Sequence, residues 1–173
     1  PDILICNNIM RDSLKRNAHT EFICYILNKQ LPSSTKVVLN ADDLICSGLF
    51  PNNKDRTYFG VSADRPENGA ATDEALRDIV YCPKCGAKLE TEYVRYNHIG
   101  RHHCSSCGFA SPKPDYDVTA INREKGTFTV THNGVDEEYK IVNDNIINIY
   151  NSCAVISVLH TFGLDYEKIH NAF

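Results

Sequence analysis

The chain has 173 residues, of which 42% are hydrophobic, enough for one well-packed core and a small accessory module. Its formal net charge of −4 and its pI near 6.0 argue against broad nucleic-acid binding, which requires a basic surface. The sequence shows no signal peptide and no apolar run of membrane-spanning length, so we expect a cytoplasmic protein. Because the chain starts at Pro1 and not at methionine, we expect a piece of a larger protein.

The first third of the chain has the pattern of a strand–helix–strand unit. Residues 2–6 and 36–40 are short, mostly apolar runs, as in strands that are buried on both faces. Between them, residues 11–31 have helical periodicity, with an apolar stripe at four-residue spacing that Tyr25 and Leu27 widen: Leu14, Ala18, Phe22 and Ile26. Residues 58–61 indicate a third strand. This order predicts a parallel α/β sheet.

The remaining elements follow a polar segment. Residues 62–77 indicate an exposed connector, and residues 79–114 form a cysteine-containing module. Residues 126–142 alternate like a hairpin whose tight turn is Asn133-Gly134. Residues 145–162 are helical, and Asp165 is placed to cap a short last helix. We therefore predict a main domain of residues 1–78 and 115–173, with an insertion at 79–114.

Four cysteines give the clearest chemical signal. Cys82 and Cys85 form one C-x-x-C pair, Cys104 and Cys107 form a second, and each pair is followed by glycine. Their spacing is that of a four-thiolate zinc ribbon, in which a closed tetrahedral shell makes the metal structural. Redox pairs or disulfides are the alternative.

The other cysteines and the nearby histidines have simpler readings. Four cysteines are isolated among apolar neighbours, as expected of core residues in a reducing compartment: Cys6, Cys24, Cys46 and Cys153. Three histidines lie inside the module: His98, His102 and His103. One of them could replace a cysteine as ligand. Because four cysteines already complete the shell, we expect packing or supporting roles for His102 and His103.

Polar residues follow the predicted strands, where parallel sheets bind their ligands. Asn7 and Asn8 lead into Asp12 after the first strand, and Asp42 and Asp43 come after the second. The paired acids could hold magnesium, or one of them could cap a following helix, and their spacing does not decide between the two.

Two further asparagines lie on the predicted helix 145–162. Asn148 and Asn151 are three residues apart, so both could face one pocket, although such pairs are commonly surface or packing residues. The chain contains no phosphate loop of the G-x-x-x-x-G-K-[ST] type and no G-x-S-x-G sequence. Spacing alone therefore supports only an α/β domain with a zinc ribbon.

Three segments resemble the central domain of the Mur ligase family, and more closely its MurT-like branch. They are NIMRDSLKR at residues 8–16, NADD at residues 40–43 and NIYN at residues 148–151. The four-cysteine ribbon is a feature of the MurT-like proteins and not of general Mur ligases. The similarity covers nearly the whole chain in the right order. It implies the parallel-sheet fold of that central domain.

Membership of this branch would imply an ATP-dependent amide ligase. Such enzymes phosphorylate the α-carboxyl of D-glutamate in lipid II and form D-isoglutamine, using ammonia from a GatD-like glutaminase. By position, Asn148, with Asn151 beside it, would lie near the adenine. Asn8 and Asp12 would lie near the substrate and phosphate end, and Asp42 and Asp43 on the same rim. Zinc would be structural, and ATP and Mg²⁺ would act in the full-length protein.

The resemblance has departures, and other functions stay open. Lys15 replaces the usual acid of the first motif. The phosphate loop is expected upstream of Pro1 and a further domain downstream of Phe173, so this piece alone is expected to be inactive. One alternative is another Mur-family ligase that acts on a different carboxylate, such as a folate. The other is a zinc-ribbon module that binds nucleic acid or protein through interleaved basic and aromatic residues.

Overall fold

The computed structural model describes residues 1–10, 19–66 and 79–173. These residues form eight strands and four helices. The strands are β1 Ile3–Cys6, β2 Lys36–Asn40, β3 Arg56–Val61, β4 Glu90–Tyr96, β5 Ile99–His103, β6 Tyr116–Asn122, β7 Thr127–His132 and β8 Val135–Lys140. The helices are α1 Thr20–Gln30, α2 Leu44–Ser47, α3 Ile146–Thr161 and α4 Tyr166–His170.

Six strands form one mixed sheet in the order β1-β2-β3-β6-β7-β8. The first four run parallel, and β6, β7 and β8 continue as an antiparallel meander. The predicted parallel α/β sheet is therefore confirmed, and the sheet is wider than predicted. Strand β6 was missed by the sequence analysis, although Tyr116 and Val118 alternate with polar residues as in a half-buried strand.

Strand β2 is buried on both faces of the sheet, as its unbroken apolar run predicts. Val38 faces a core that α3 covers, whereas Val37 and Leu39 face a second core on the side of α1 and α2. Helix α3 packs its buried residues onto β2, β3 and β6. The sheet therefore separates two apolar layers, and the ends of its parallel strands lie between them.

Helix α1 presents a different face to the core from the predicted one. Leu14 and Ala18 lie outside the described residues, and Phe22 is 58% exposed. The helix packs through Ile23 and Cys24, which were not predicted, and through Leu27, which was part of the predicted stripe. The helix carries two apolar stripes, and four-residue spacing alone does not show which of them meets the sheet.

The predicted hairpin and C-terminal helices are confirmed. Asn133 and Gly134 have φ of 50° and 78°, the left-handed pair that a two-residue hairpin turn requires. Asn145 caps α3 by accepting from the Ile147 amide, and Asp165 caps α4 by accepting from the Lys168 amide. Among the described residues no helix is long and apolar enough to cross a membrane.

The module at residues 79–114, here called the ribbon, has two ends. One end holds the two cysteine knuckles, and the other is the hairpin of β4 and β5, which pair with each other and not with the main sheet. Ile99 of the hairpin is fully buried in the same core as α3. The hairpin end of the ribbon therefore shares the main core.

Candidate functional site: the cysteine cluster and the carboxyl edge of the sheet

The two knuckles fold in the same way. The amide of Cys82 donates to the carbonyl of Ala87 at 2.7 Å, and the amide of Cys104 donates to that of Phe109 at 2.7 Å. Gly86 and Gly108 close the turns with φ of 76° and 72°, a conformation that side chains disfavour. The repeated C-x-x-C-G sequence thus gives two matching loops that present their sulfurs to one point.

The four sulfurs form a cluster in which all lie within 4.8 Å of one another. The Sγ atoms of Cys82 and Cys107 are 3.7 Å apart, and those of Cys85 and Cys104 are 3.5 Å apart. A tetrahedral Zn²⁺ with bonds of about 2.3 Å has sulfur–sulfur edges of about 3.8 Å. The donor set and the spacing therefore fit a structural zinc ion.

The three ribbon histidines make contacts away from this cluster. His98 Nε2 lies 3.1 Å from Asp43 Oδ1, and His103 Nε2 lies 3.2 Å from Glu90 Oε2. His102 Nε2 lies 3.0 Å from the carbonyl oxygen of His98, so this nitrogen carries the proton and donates. These contacts give the histidines structural roles, as expected from the sequence.

Asp43 caps α2, which was one of the two interpretations left open for the acid pair. Its Oδ1 accepts from the amides of Ile45 at 2.8 Å and Cys46 at 3.0 Å, and from His98. Its Oδ2 accepts from the amide of Ile9 at 2.9 Å. The carboxylate is fully buried. A metal ion would have to displace some of these donors to bind Asp43 directly.

Asp42 is buried beside Asp43 and is bonded to three other elements. Its Oδ2 accepts from Val61 N at 2.9 Å and from Tyr150 OH at 2.7 Å, and its Oδ1 accepts from Arg101 at 3.1 Å. Burial raises the pKa of the Tyr150 phenol well above its ordinary value, and the Asp42 charge adds to that effect, so Tyr150 stays a donor. Asp42 thus joins β2, β3, α3 and the ribbon.

We call residues 7–10 and 40–43, with the α3 side chains that face them, the carboxyl edge. Asn7, which follows β1, meets Asn40 of β2 and Asn151 of α3 there. Asn7 Nδ2 donates to Asn151 Oδ1 at 2.5 Å, and Asn40 Nδ2 donates to the Asn7 carbonyl at 2.9 Å. Asn7 Oδ1 is buried with no hydrogen-bond partner among the described residues. This edge therefore offers a free acceptor close to the asparagine pair of α3.

Asn148 and Asn151 line one cavity of about 210 Å³, together with Val142, Ser152 and Phe173 among others. The structure thus places both asparagines at one concave surface, as their helical spacing allowed. Asn8 is exposed next to Asn7, and Asp12 lies outside the described residues. Sequence analysis did not single out Asn7 as a partner of α3, because 144 residues separate it from Asn151.

A second cavity, of about 820 Å³, lies between α1, α2 and the first knuckle. Its lining is mainly apolar and includes Leu44, Leu49, Ile79 and Phe109. None of the asparagines or aspartates of the carboxyl edge lines it. The polar residues of the carboxyl edge therefore lie outside this larger cavity.

The ribbon uses much of its basic and aromatic surface internally. Arg95 donates to the Val61 carbonyl at 2.9 Å, and Arg101 is bonded to Asp42. Tyr93 is only 2% exposed, and its hydroxyl donates to Val61 O at 3.2 Å. These side chains are not available for stacking on bases, which weakens the nucleic-acid alternative.

Comparisons with known proteins agree with this architecture. No family model matches the chain. Over its full length, the chain is 29% identical to "lipid II isoglutaminyl synthase (glutamine-hydrolyzing) subunit MurT" of Staphylococcus aureus strains COL and N315. It is 27% identical, again over its full length, to the subunit of the same name from Streptococcus pneumoniae R6. The chain spans 38% of the length of these curated relatives.

A solved structure is similar to the chain in its fold. Over 98% of this chain and 33% of its own, a pseudomurein peptide ligase type C from Methanothermus fervidus superposes with a TM-score of 0.75 at 25% identity. The resemblance indicated by the motifs is confirmed: along its whole length the chain is similar in sequence to MurT subunits, and its fold is similar to that of a pseudomurein peptide ligase.

Proposed function

We propose that the full-length protein is the ATP-dependent subunit of an amide ligase that converts the D-glutamate of lipid II to D-isoglutamine. ATP transfers its γ-phosphoryl group to the α-carboxylate, which gives an acyl phosphate and ADP. Ammonia then attacks the carbonyl carbon, and phosphate leaves. A glutaminase subunit of the GatD type releases the ammonia from glutamine.

Similarity to MurT subunits over the full length of the chain is the observation that carries this proposal. The geometry adds support, because described residues of all three segments that resemble the MurT-like branch lie at the carboxyl edge. Asn7 contacts Asn151, and Asp43 holds the amide of Ile9. Residues 7–10, 40–43 and 148–151 are distant in sequence, and their convergence at one edge supports a shared ligand site.

The asparagines of the carboxyl edge suit an adenine ring. Asparagine can pair with the N6 amino group and N7 of adenine, since its amide offers one acceptor and one donor. Asn148 and Asn151 face the same cavity, and Asn7 Oδ1 is a buried acceptor without a partner among the described residues. We propose that Asn148 and Asn151 bind the base, and that Asn8 and Asp12 lie toward the phosphates and the substrate, where Mg²⁺ would join ATP.

Asp42 and Asp43 receive a supporting role in this proposal. Both are buried and bonded to amides, a phenol, a guanidinium and an imidazole. They hold the rim of the site in place and do not touch the reacting atoms. Zinc in the four-cysteine cluster supplies structure at the far end of the ribbon, since four thiolates leave no open coordination position. The cysteine-rich composition suits the reducing cytoplasm, where lipid II precursors would be met at the membrane surface.

The direct test uses the full-length protein with its glutaminase subunit. We expect ADP release from ATP only when lipid II is present, and an amidated product when glutamine or free ammonia is added. Asn148→Ala should weaken ATP binding by roughly 1–3 kcal/mol through the lost polar contact. Asn171→Ala, at the exposed end of α4, is the matched control and should leave it unchanged.

A second variant separates binding from turnover. Asp12→Asn should lower turnover more than ATP affinity, if Asp12 lies at the reacting end. ADP release that is independent of any cell-wall peptide would contradict the proposed substrate. Retained ATP affinity in Asn148→Ala and Asn151→Ala would contradict the proposed adenine position.

The fold similarity to a pseudomurein peptide ligase favours a second candidate, a ligase that joins an amino acid and not ammonia to a cell-wall peptide. Both reactions pass through an acyl phosphate and differ only in the nitrogen nucleophile. The same assay distinguishes them. Product formation with single amino acids, and none with ammonia or glutamine, would favour the peptide ligase.

A further inference from the structure

The turn of the ribbon hairpin lies directly over the loop that follows β1. His98, in this turn, is fully buried, and its Nε2 lies 3.1 Å from Asp43 Oδ1. The other oxygen of the same carboxylate accepts from the Ile9 amide at 2.9 Å. Asp43 therefore joins a ribbon side chain to the backbone of the loop at residues 7–10.

The neighbouring turn residues make parallel contacts. Asn97 Nδ2 lies 3.0 Å from Met10 Sδ, and the Gly100 amide donates to the Asp42 carbonyl at 2.7 Å. A Cβ at Gly100 would lie 2.0 Å from the Tyr93 carbonyl oxygen, so this close approach requires glycine. The hairpin thus contacts the residues that follow β1 and β2 at the carboxyl edge.

The loop carries this constraint to the asparagines. Asn7 stands two residues before Ile9, and its carbonyl accepts from Asn40 Nδ2 at 2.9 Å. Its side-chain amide donates to Asn151 Oδ1 at 2.5 Å. Hydrogen bonds therefore link His98 to Asp43 and Asp43 to the Ile9 amide, and Asn7 to Asn151. Two residues of backbone join these two parts of the path.

We infer that His98 is a positioning residue for the nucleotide site, holding the β1 loop through Asp43 so that Asn7 orients Asn151. This inference rests on the proposed function for the identity of the ligand. Without His98, Asp43 keeps its two α2 amides but is free to turn toward them. The Ile9 amide would then lose its acceptor, and Asn7 would lose its fixed place beside α3.

The first experiment follows the loop itself, without nucleotide. Amide hydrogen exchange is measured in the full-length protein for wild type, His98→Ala, His98→Asn and His98→Gln. Glutamine places its amide nitrogen near the position of Nε2, whereas asparagine places it near Nδ1. We expect exchange at Ile9 to rise about tenfold in the alanine and asparagine variants and to stay near the wild-type rate in the glutamine variant.

The second experiment follows ATP use by the same proteins. A displaced Asn7 should raise KM for ATP about tenfold in His98→Ala and His98→Asn, with rescue in His98→Gln. A merely structural loss would lower the amount of active enzyme, and so kcat, at unchanged KM. His103→Gln is the control, because His103 is a half-exposed histidine of the same hairpin that pairs with Glu90.

The outcomes separate the two proposals. Increased exchange at Ile9 with unchanged KM for ATP would overturn the positioning role while leaving the proposed function intact. Unchanged exchange at Ile9 in His98→Ala would overturn it as well. A wild-type protein that neither binds nor consumes ATP would overturn both proposals, and that result is read from the wild-type arm alone.

Discussion

The two ends of the ribbon are held by different means. At the knuckle end, the first cysteine of each pair bonds a residue five positions away, and four sulfurs meet in one cluster. At the hairpin end, His98 and Arg101 bond aspartates that are 55 and 59 residues away. The difference shows that one short segment combines a local cysteine cluster with a long-range polar attachment to the core. The two supports should fail separately.

The largest expected effect is at the knuckle end. Cys82→Ser should abolish stoichiometric zinc binding, because it removes one of the four thiolates. The effect should be large, since a structural site of this kind contributes about 10–16 kcal/mol of apparent binding free energy at neutral pH. Amide exchange should increase around residues 79–89 and 104–111, while far-UV circular dichroism keeps most of its helical signal. Elemental analysis measures the metal. Cys24→Ser, which changes a half-buried cysteine outside the cluster, should retain one zinc per chain.

This result would also test the separation of the two ends. If Cys82→Ser leaves the Ile9 and Gly100 amides protected, the hairpin end is attached independently of the metal. Global unfolding of Cys82→Ser would show that the two supports are one cooperative unit. It would also contradict the predicted division into 1–78 with 115–173 and 79–114.

The next effect is at the hairpin end. Arg101→Met removes the cation from the nearly buried Asp42 carboxylate, and breaking such a pair costs about 3–5 kcal/mol when both partners are buried. Because the Arg101 side chain is 16% exposed, we expect denaturant unfolding to show a loss of about 3 kcal/mol in the free energy of unfolding. Lys168→Met breaks the exposed pair with Asp165 and should leave the midpoint unchanged. Equal midpoints for the two variants would contradict the attachment.

A smaller effect is expected from steric change in the same hairpin. Gly100→Ala places a Cβ 2.0 Å from the backbone oxygen of Tyr93, and overpacking of this kind costs about 1–3 kcal/mol. Gly48→Ala is the comparison, since its Cβ would lie 3.3 Å from the nearest backbone atom. Thermal unfolding should rank Gly100→Ala well below Gly48→Ala. The reverse order would show that the hairpin can move away from its partner strand.

The smallest effect is a pH dependence beside the attachment. Burial raises the pKa of the Asp117 carboxyl, and the Asp42 charge raises it further, while hydrogen bonds from Ser62 and the charge of Arg101 lower it. A folded pKa above the unfolded one means that this stability is present below the unfolded pKa and is lost as pH rises through the folded value. Unfolding measured across that range should show a shallower decline for Asp117→Asn than for wild type. Identical slopes would contradict the effect.

Local features of the sequence predicted the parts of the fold that depend on neighbours in the chain. The knuckles, the Asn133-Gly134 turn and the cap at Asp165 each lie within a few residues, so pattern alone was sufficient. The prediction of the buried face of α1 was wrong for Phe22, because two apolar stripes compete on that helix. Which of the two stripes is buried depends on the sheet against which the helix packs.

The site was predicted only in part, for a related reason. Asn148 and Asn151 share a cavity, as their helical spacing suggested, but their partner Asn7 was not identified. The position of Asp12 stays a prediction. Asp42 and Asp43 looked like metal ligands as readily as caps, because the donors that occupy them come from the ribbon, β3 and α3. No local pattern shows those donors.

Zinc binding at the cysteine cluster would also change the net charge of the molecule. The formal net charge of −4 counts every cysteine as neutral. Binding Zn²⁺ requires four thiolates, which carry two more negative charges than the ion neutralises. The metal-loaded protein should therefore migrate to a more acidic position in isoelectric focusing than its metal-free form. A gel could then follow gain and loss of the ion, without a spectroscopic signal from zinc itself.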